Sequence, residues 1–467
     1  MHYPWWHVPL LTAPMLIAAV SVVHMLVSHY AVGGGLFLAV ETAHAYKTRN
    51  NHYLDYLRQH AWFFVLLTVA FGAITGAGIW WTIGLASPLA TETLIHAFVF
   101  GWAMEYVFFV LEIASAFIFF YYWGRLDPRT HQIIGWIYAG SAWISLVLIT
   151  GITAFMLNPG AWPQHPNFWV GFLNPQFVPQ TLARTGGALL LSSLYVYAHA
   201  AFRVKDDALR HMIARRSAQP ALLGSLLIII GGLGWYVFLP PSAKVALAAA
   251  GALNVLMALI FGVTVAVFAM LYFGPYRNPG WLSPGFSILF LALGFTAVAA
   301  GEFIREAVRK PYILYNVVLS NQILPSEVAL LKQNGYLEGG VWTKAYLQAY
   351  APFLLVNGQI DETTLTDLPE DLQTDVGRLL FTYHCADCHA APDGYSGIGP
   401  MIRGYTPAML LDVVQYPEKR RFFMPPWCGT PQEAQLLAKY LQTIAEPTPE
   451  DMYFGLNEQK GEASESH

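Results

Sequence analysis

Charge is scarce in this 467-residue chain: Asp, Glu, Lys and Arg make up 12% of it, against 55% hydrophobic residues. An average soluble domain is about one quarter charged, so an ordinary soluble globular protein is excluded and an integral membrane protein is implied. Cysteine is almost as rare, at three residues, which rules out a disulfide framework. The opening MHYPWWHVP lacks the basic stretch that begins a cleavable signal peptide. The net charge of −4 says little, because the charges are unevenly placed, and no nucleic-acid partner is expected from it. Length alone suggests two to three domains.

What the chain does have is a succession of apolar runs, at about 10–40, 60–85, 93–123, 132–157, 181–203, 220–239, 245–273 and 285–308. Each is long enough to cross the hydrocarbon core of a lipid bilayer as a helix. The expected fold is all-α, a polytopic membrane bundle of about eight helices followed by a small helical domain. Lys47, Arg49 and Arg58 lie between runs one and two, Arg125 and Arg129 follow run three, Arg203 to Arg216 follow run five, and Arg277 precedes run eight. The alternate connections hold only Arg184 and Lys244. The positive-inside rule then places both the amino terminus and everything after run eight outside. The segment VWTKAYLQAYAPFLLV (341–356) carries Lys344, Gln348 and Pro352 and is short, so a surface amphipathic segment is expected there rather than a ninth span. The expected division is a membrane domain over 1–312, an outer linker over 313–372, a small domain over 373–447 and a polar, poorly ordered tail over 448–467.

Two of the three cysteines lie in FTYHCADCHAAPDG (381–394), where Cys385, Cys388 and His389 form the C-x-x-C-H pattern of covalent haem attachment. The topology puts this motif outside, where such attachment takes place. Downstream come GIGP (397–400), FFMPPW (422–427) and the helical pattern PQEAQLLAKYLQTI. Over 373–447 this resembles the class I cytochrome c family. The resemblance implies haem c with His389 as proximal ligand and Met424 as distal thioether, Met401 and Met409 being alternatives. Cys428 is expected to be a buried free thiol.

Ionisable residues inside spans are costly and so mark candidate sites. Glu105 and Glu112 are seven residues apart, on one face of the third run, with Glu92 just before it. They are either protonated packing residues or a proton path. His24 and His29 lie in the first run on different faces. GEFIREAVRKPYILYN (301–316) sets Glu302, Arg305, Glu306 and Arg309 on successive turns. These form i,i+4-type ion pairs at a helix end, or Glu306 binds iron while arginine balances haem propionates.

Together, GGGLFLAVET after His24, GAITG (72–76), PLATETL (88–94), FVLEIASAFIFFYYWGRL (109–126), SAWISLVLITGITAFMLNPGAW (141–162) and Glu306-x-x-Arg309-Lys310-Pro311-Tyr312 resemble subunit I of the cytochrome bd-type oxidases, in shared order across residues 10–315. The resemblance implies that His24 and Glu306 ligate two closely spaced high-spin haems, haem b with a d-type chlorin or a second haem b. It also implies that Glu105, Glu112 and Ser141 serve proton delivery, and that a second membrane subunit resembling subunit II completes the complex. Departures matter. The loop LPPSAK (239–244) is too short for the family's quinol site. Met257 matches the methionine of the low-spin haem b, but FVPQTLART offers Gln180 or Arg184 in place of its histidine, leaving His7 or His165 as outer candidates. The family's ninth span is missing, and the outer cytochrome stands in its place.

The implied activity is that of a respiratory oxidoreductase of the inner membrane of a bacterium or archaeon. Electrons from a soluble or membrane-bound cytochrome c or similar donor would pass through haem c to the buried haems, reducing oxygen to water. Rival expectations are a quinol dehydrogenase sending electrons outward, and a non-catalytic relay or anchor subunit. Nitric oxide or another small oxidant would suit the same iron site.

Overall fold

The structure, a computed structural model, describes residues 5–445, and the polar tail lies outside the described residues. The chain divides into two compact units: residues 18–81 with 91–309, and residues 5–17 with 82–90 and 310–445.

The larger unit is helical throughout. Its elements are α1 (Ala13–Thr48), α2 (Asn51–Val65), α3 (Gly72–Ala86), α4 (Pro88–Ala97), α5 (Val99–Tyr121), α6 (Pro128–Phe155), α7 (Phe168–Phe172), α8 (Phe177–Arg203), α9 (Asp207–Val237), α10 (Pro241–Ala249), α11 (Gly251–Leu271) and α12 (Pro284–Ala307); α1, α3 and α4 also run into the smaller unit. Side-chain caps start the helices where the chain turns back. Asp127 accepts from the amides of Arg129 and Thr130 ahead of Pro128, Asp206 from Ala208, and Ser283 from Phe286. A π-helical turn, Leu66–Phe71, joins α2 to α3, so that Asn51–Ala86 forms one long run.

Among the described residues, seven helices are long and apolar enough to cross a membrane: Ala13–Thr48, Asn51–Ala86, Val99–Tyr121, Pro128–Phe155, Asp207–Val237, Gly251–Tyr276 and Pro284–Ala307. The eighth expected crossing falls on α8, which has 27 residues and spans about 40 Å at 1.5 Å per residue. It is less apolar because its polar groups are spent inside the bundle. Ser193 donates to the Ser217 carbonyl at 2.9 Å and Tyr197 to the Ala214 carbonyl at 3.2 Å, both on α9. The two helices approach closely where Gly186 meets Gly224. A side-chain carbon at either position would collide with the other's carbonyl oxygen.

The smaller unit contains α13 (Val328–Asn334), α14 (Tyr336–Gly339), α15 (Val341–Tyr350), α16 (Glu370–His384), α17 (Ile398–Met401), α18 (Pro407–Gln415), α19 (Pro417–Arg420) and α20 (Pro431–Ile444). Two short antiparallel hairpins, Tyr312–Leu314 with Val318–Leu319 and Leu355–Val356 with Gln359–Ile360, are the sheet among the described residues. The segment 341–356 is a ten-residue helix, a turn and a strand, too short to span a bilayer. Residues 313–372 share one apolar core with 373–445: Leu331, Leu337 and Leu347 pack with Leu380, Phe381, Leu410 and Leu437. Cys428 is a fully buried free thiol in that core.

Candidate functional site

Two groups of side chains carry the expected chemistry, one in each unit. In the larger unit, α5 and α6 run antiparallel and join through paired polar contacts. Tyr138 donates its hydroxyl to Glu112 at 3.3 Å, and Ser145 donates to Glu105 at 3.0 Å. Ser141 lies between them on the same face of α6 and is buried. Sequence reading found the two glutamates by their seven-residue spacing but missed Tyr138 and Ser145. The signal was there: Tyr138, Ser141 and Ser145 recur at i, i+3 and i+7, a polar stripe along an apolar helix.

His24 presents its Nδ1 to the Thr75 hydroxyl oxygen at 3.1 Å. The Thr75 hydroxyl proton is directed to the carbonyls of Phe71 and Gly72, at 3.0 and 3.1 Å. The imidazole therefore donates from Nδ1, which leaves the Nε2 lone pair available to a metal. Gly76 adjoins this ring: a side-chain carbon there would lie 3.2 Å from Cε1 and 3.9 Å from Nε2. The donor set suits a haem iron, and the absence of a side chain at Gly76 leaves room beside the ring. His29 donates from Nδ1 to the Met25 carbonyl at 2.9 Å and abuts Gly187 on α8.

At the end of α12 the charges are paired within the helix. Arg305 donates twice to Glu302, at 2.7 and 3.0 Å, and Arg309 is paired with Glu306. Glu302 and Arg309 are buried, and an Arg309 amine also lies 3.6 Å from the Met156 sulfur. Two adjacent carboxylate–guanidinium pairs suit an iron ligand, Glu306, set against haem propionates. Of the residues named for a low-spin haem, Met257 packs on the apolar cluster of Leu157, Leu239, Leu253 and Ile304. Arg184 donates to the Thr150 hydroxyl at 3.3 Å, and Gln180 is buried. His165 and His7 are exposed.

In the smaller unit, α16 ends at the C-x-x-C-H motif of Cys385, Cys388 and His389. The amides of Cys388 and His389 both donate to the Cys385 carbonyl, at 3.1 and 3.0 Å, which winds the motif into a single turn. Both thiols are half-buried and unbridged. Burial pushes the Cys385 thiol up to about 12, so the sulfur stays protonated. The His389 Nδ1 donates to the Ser396 carbonyl at 3.1 Å, again leaving Nε2 for a metal, and burial lowers the basicity of the ring. Gly394, at φ +125°, lets the loop turn tightly against Leu10, whose carbonyl accepts the Tyr395 amide at 2.6 Å. Met424 is half-buried ahead of Pro425 and Pro426, whereas Met401 and Met409 are 49% and 47% exposed. Exposure therefore favours Met424 among the three candidate thioethers. Two thiols, an imidazole open at Nε2 and a half-buried thioether suit a covalently held haem.

Comparison with known proteins bears on the membrane unit. Residues 13–235 match the family model of cytochrome bd terminal oxidase subunit I. A solved structure, that of the bd oxidase from Geobacillus thermodenitrificans, aligns with TM-score 0.56 at 20% identity, covering 66% of this chain and 89% of that one. At that identity the likeness speaks for the fold. No curated protein sequence matches the chain.

Proposed function

We propose that this chain, a bd-type membrane oxidoreductase subunit by the family of its residues 13–235, takes electrons at an outer haem c and delivers them to membrane-buried haems for the reduction of oxygen. One observation supports both ends of that route: His24 and His389 are each held through Nδ1 by an oxygen acceptor, so each offers Nε2 to iron. When bound, the haems supply electron transfer and, at an open iron position, reduction of the oxidant.

The chain's own residues would do the rest. Cys385 and Cys388 would tether the outer group through thioethers, and His389 and Met424 would hold its iron. His24 and Glu306 would hold the buried pair, with Arg309 and Arg305 offsetting anionic substituents. Glu112 and Glu105, each set by a hydroxyl donor on α6, would hold and pass the protons that oxygen reduction consumes. Charge in the loops assigns the uptake side to the inner face, with α16 to α20 on the outer face. A second membrane subunit of the same family of complexes would complete the assembly, as the broad unpaired apolar face of α5, including Phe100, Val107 and Phe117, allows.

The experiment is to purify the chain with its partners and count haems. A haem stain should follow the polypeptide through a denaturing gel, and carbon monoxide should perturb the reduced spectrum. Reduced cytochrome c or an artificial donor should drive oxygen uptake. Failure of carbon monoxide to bind, together with no oxygen uptake, would replace this reading by an electron-relay subunit.

A further inference from the structure

A second set of buried polar groups, unused by the sites above, lies among α1, α2, α8 and α9 of the larger unit. Its outer member is the ion pair of Arg216 and Glu41, made through two hydrogen bonds of 2.5 and 3.0 Å. Tyr53 donates to the same Glu41 carboxylate at 2.8 Å. The ring of Tyr53 stacks on Tyr56 with centroids 6.2 Å apart, and Tyr56 stacks on His60 at 5.8 Å. His199, on α8, meets Tyr56 at 5.4 Å and His60 at 4.9 Å, ring to ring. His60 Nε2 lies 3.0 Å from the Tyr30 hydroxyl. Tyr30, Tyr53 and His60 are fully buried.

Within this one cluster, His60 Nδ1, His199 Nδ1 and the Tyr56 hydroxyl are buried and have no hydrogen-bond partner among the described residues. A buried polar atom left dry destabilises the fold. Three polar atoms on touching rings supply the number of polar partners that a bound water takes. Packing alone would be served by Phe or Leu at these positions. Two histidines in apolar surroundings, each with one ring nitrogen uncommitted, are instead suited to moving protons.

We infer that His60, His199 and Tyr56 hold an internal water and form with it a proton inlet from the inner face, running from the Glu41–Arg216 pair to Tyr30. The inference rests on the oxidase reading for its purpose, since only a proton-consuming reaction needs the inlet. Glu41 and His199 lie in the last two turns of α1 and α8, and Tyr53 and Tyr56 in the first two of α2, at the ends that carry Lys47, Arg49 and Arg203, the inner side by loop charge, while Tyr30 lies midway along α1. For each proton admitted, His60 accepts one at Nδ1 from the water and releases the one at Nε2 to the Tyr30 oxygen. The Tyr30 hydroxyl proton passes through a further internal water to Tyr138, whose ring packs on the same Phe64 as that of Tyr30, and a flip of the His60 ring restores its first tautomer, so no charge accumulates and nothing is oxidised. The next residue, Ala31, has its carbonyl 3.1 Å from the Tyr138 hydroxyl that also serves Glu112, so the inlet ends at the turn of α1 where the α5–α6 pair begins. The charged groups nearest the cluster are Glu41, Arg216 and Arg203, the last acting on His199 from its own helix.

The test uses the purified haem-loaded complex in proteoliposomes, with His60→Gln and His199→Gln. Haem content, the visible spectrum and the rate of haem reduction by donor should stay at wild-type values. Oxygen uptake and dye-monitored proton uptake should fall about 100-fold, the scale on which a positioned proton-transfer group acts. Wild-type turnover in both variants would overturn the inlet. Should either variant fail to assemble, Tyr56→Phe carries the test, because it deletes the uncommitted hydroxyl and keeps the ring; a wild-type rate there would overturn the bound-water arrangement. A separate readout is the reduced-minus-oxidised infrared difference spectrum with isotope-labelled histidine. Imidazole bands that vanish in His60→Gln support the inlet even if the wild-type complex takes up no oxygen, in which case the oxidase reading alone fails. A wild-type spectrum without imidazole bands counts against the inlet whatever the acceptor.

Discussion

The Tyr138 hydroxyl stands between two acceptors, the Glu112 carboxylate at 3.3 Å and the Ala31 carbonyl at 3.1 Å. A phenol has one proton to give. With Glu112 ionised, the proton points to the carboxylate; with Glu112 protonated, the hydroxyl can turn to Ala31 and accept from the carboxylic acid. Loading and unloading Glu112 then requires a rotation about one C–O bond rather than a rearrangement of helices.

Removing that rotor should slow turnover without dislodging cofactor. Tyr138→Phe is expected to lower oxygen uptake about 10-fold and Glu112→Gln at least 100-fold, with unchanged haem content, since positioned proton-transfer groups contribute on that scale. Ser145→Ala, which removes the donor to Glu105, should have a smaller effect of the same kind. Steady-state oxygen consumption beside a pigment assay checks all three, and full activity in Glu112→Gln would refute a proton role.

The two proposed haem sites are separable by experiment. His24→Ala and Glu306→Ala should each remove or alter one membrane haem while the covalent haem stays with the chain. Thr75→Val should weaken the His24 site without removing it, because the loss of an orienting partner costs metal sites about 10- to 100-fold in affinity or activity. Extracted-pigment counts and the carbon monoxide difference spectrum report each change.

For the outer site, Cys385→Ser and Cys388→Ser are expected to leave the polypeptide unstained for haem in a denaturing gel, or stained weakly when one thioether remains. Met424→Leu should keep the covalent haem and shift its reduction potential downward, because the thioether favours the reduced iron. Met401→Leu and Met409→Leu, at exposed positions, should leave the potential where it was. A redox titration followed in the visible distinguishes these outcomes.

The smaller unit contains a pH-sensitive carboxylate pair. Glu433, wholly buried, accepts the amides of Tyr336, Leu337 and Thr430 at 2.8, 2.6 and 2.8 Å, while Glu362 accepts the Thr430 hydroxyl at 2.6 Å. Burial, and next the neighbouring Glu362, push Glu433 up to about 7; burial also raises Glu362. A carboxyl group with a folded pKa above its unfolded value binds a proton more tightly when folded. Its contribution to stability is complete below the ordinary value of 4.5 and declines as pH rises toward 7. Denaturant unfolding of the full chain in detergent, followed by the Trp427 region, should thus show falling stability of this unit across that window. Glu362→Gln, which removes the like charge and keeps a partner for Thr430, should flatten the decline.

Much of this was legible in the chain itself. Scarce charge and long apolar runs required a membrane bundle, because a bilayer leaves few alternatives for the backbone. The C-x-x-C-H spacing of Cys385, Cys388 and His389 was visible by adjacency alone, and the seven-residue interval between Glu105 and Glu112 put them on one helix face. These are properties of a single segment, determined by helix periodicity or by adjacency along the chain.

Contacts between distant segments were not legible. Nothing in the linear order joins Glu41 to Arg216, His60 to His199, or Tyr138 to Glu112, and the polar content of α8 reads as a weak span until α9 is seen to satisfy its hydroxyls. Residues 313–372 read as a linker because their apolar positions are spread over short helices, and only packing reveals their shared core with α16 and α20. Sequence determined which chemistry the chain can carry, since residue type and local period are written in it. Tertiary structure decided which groups meet, because helix packing brings together side chains such as Glu41 and Arg216, 175 positions apart, and where a buried proton can travel depends on those meetings.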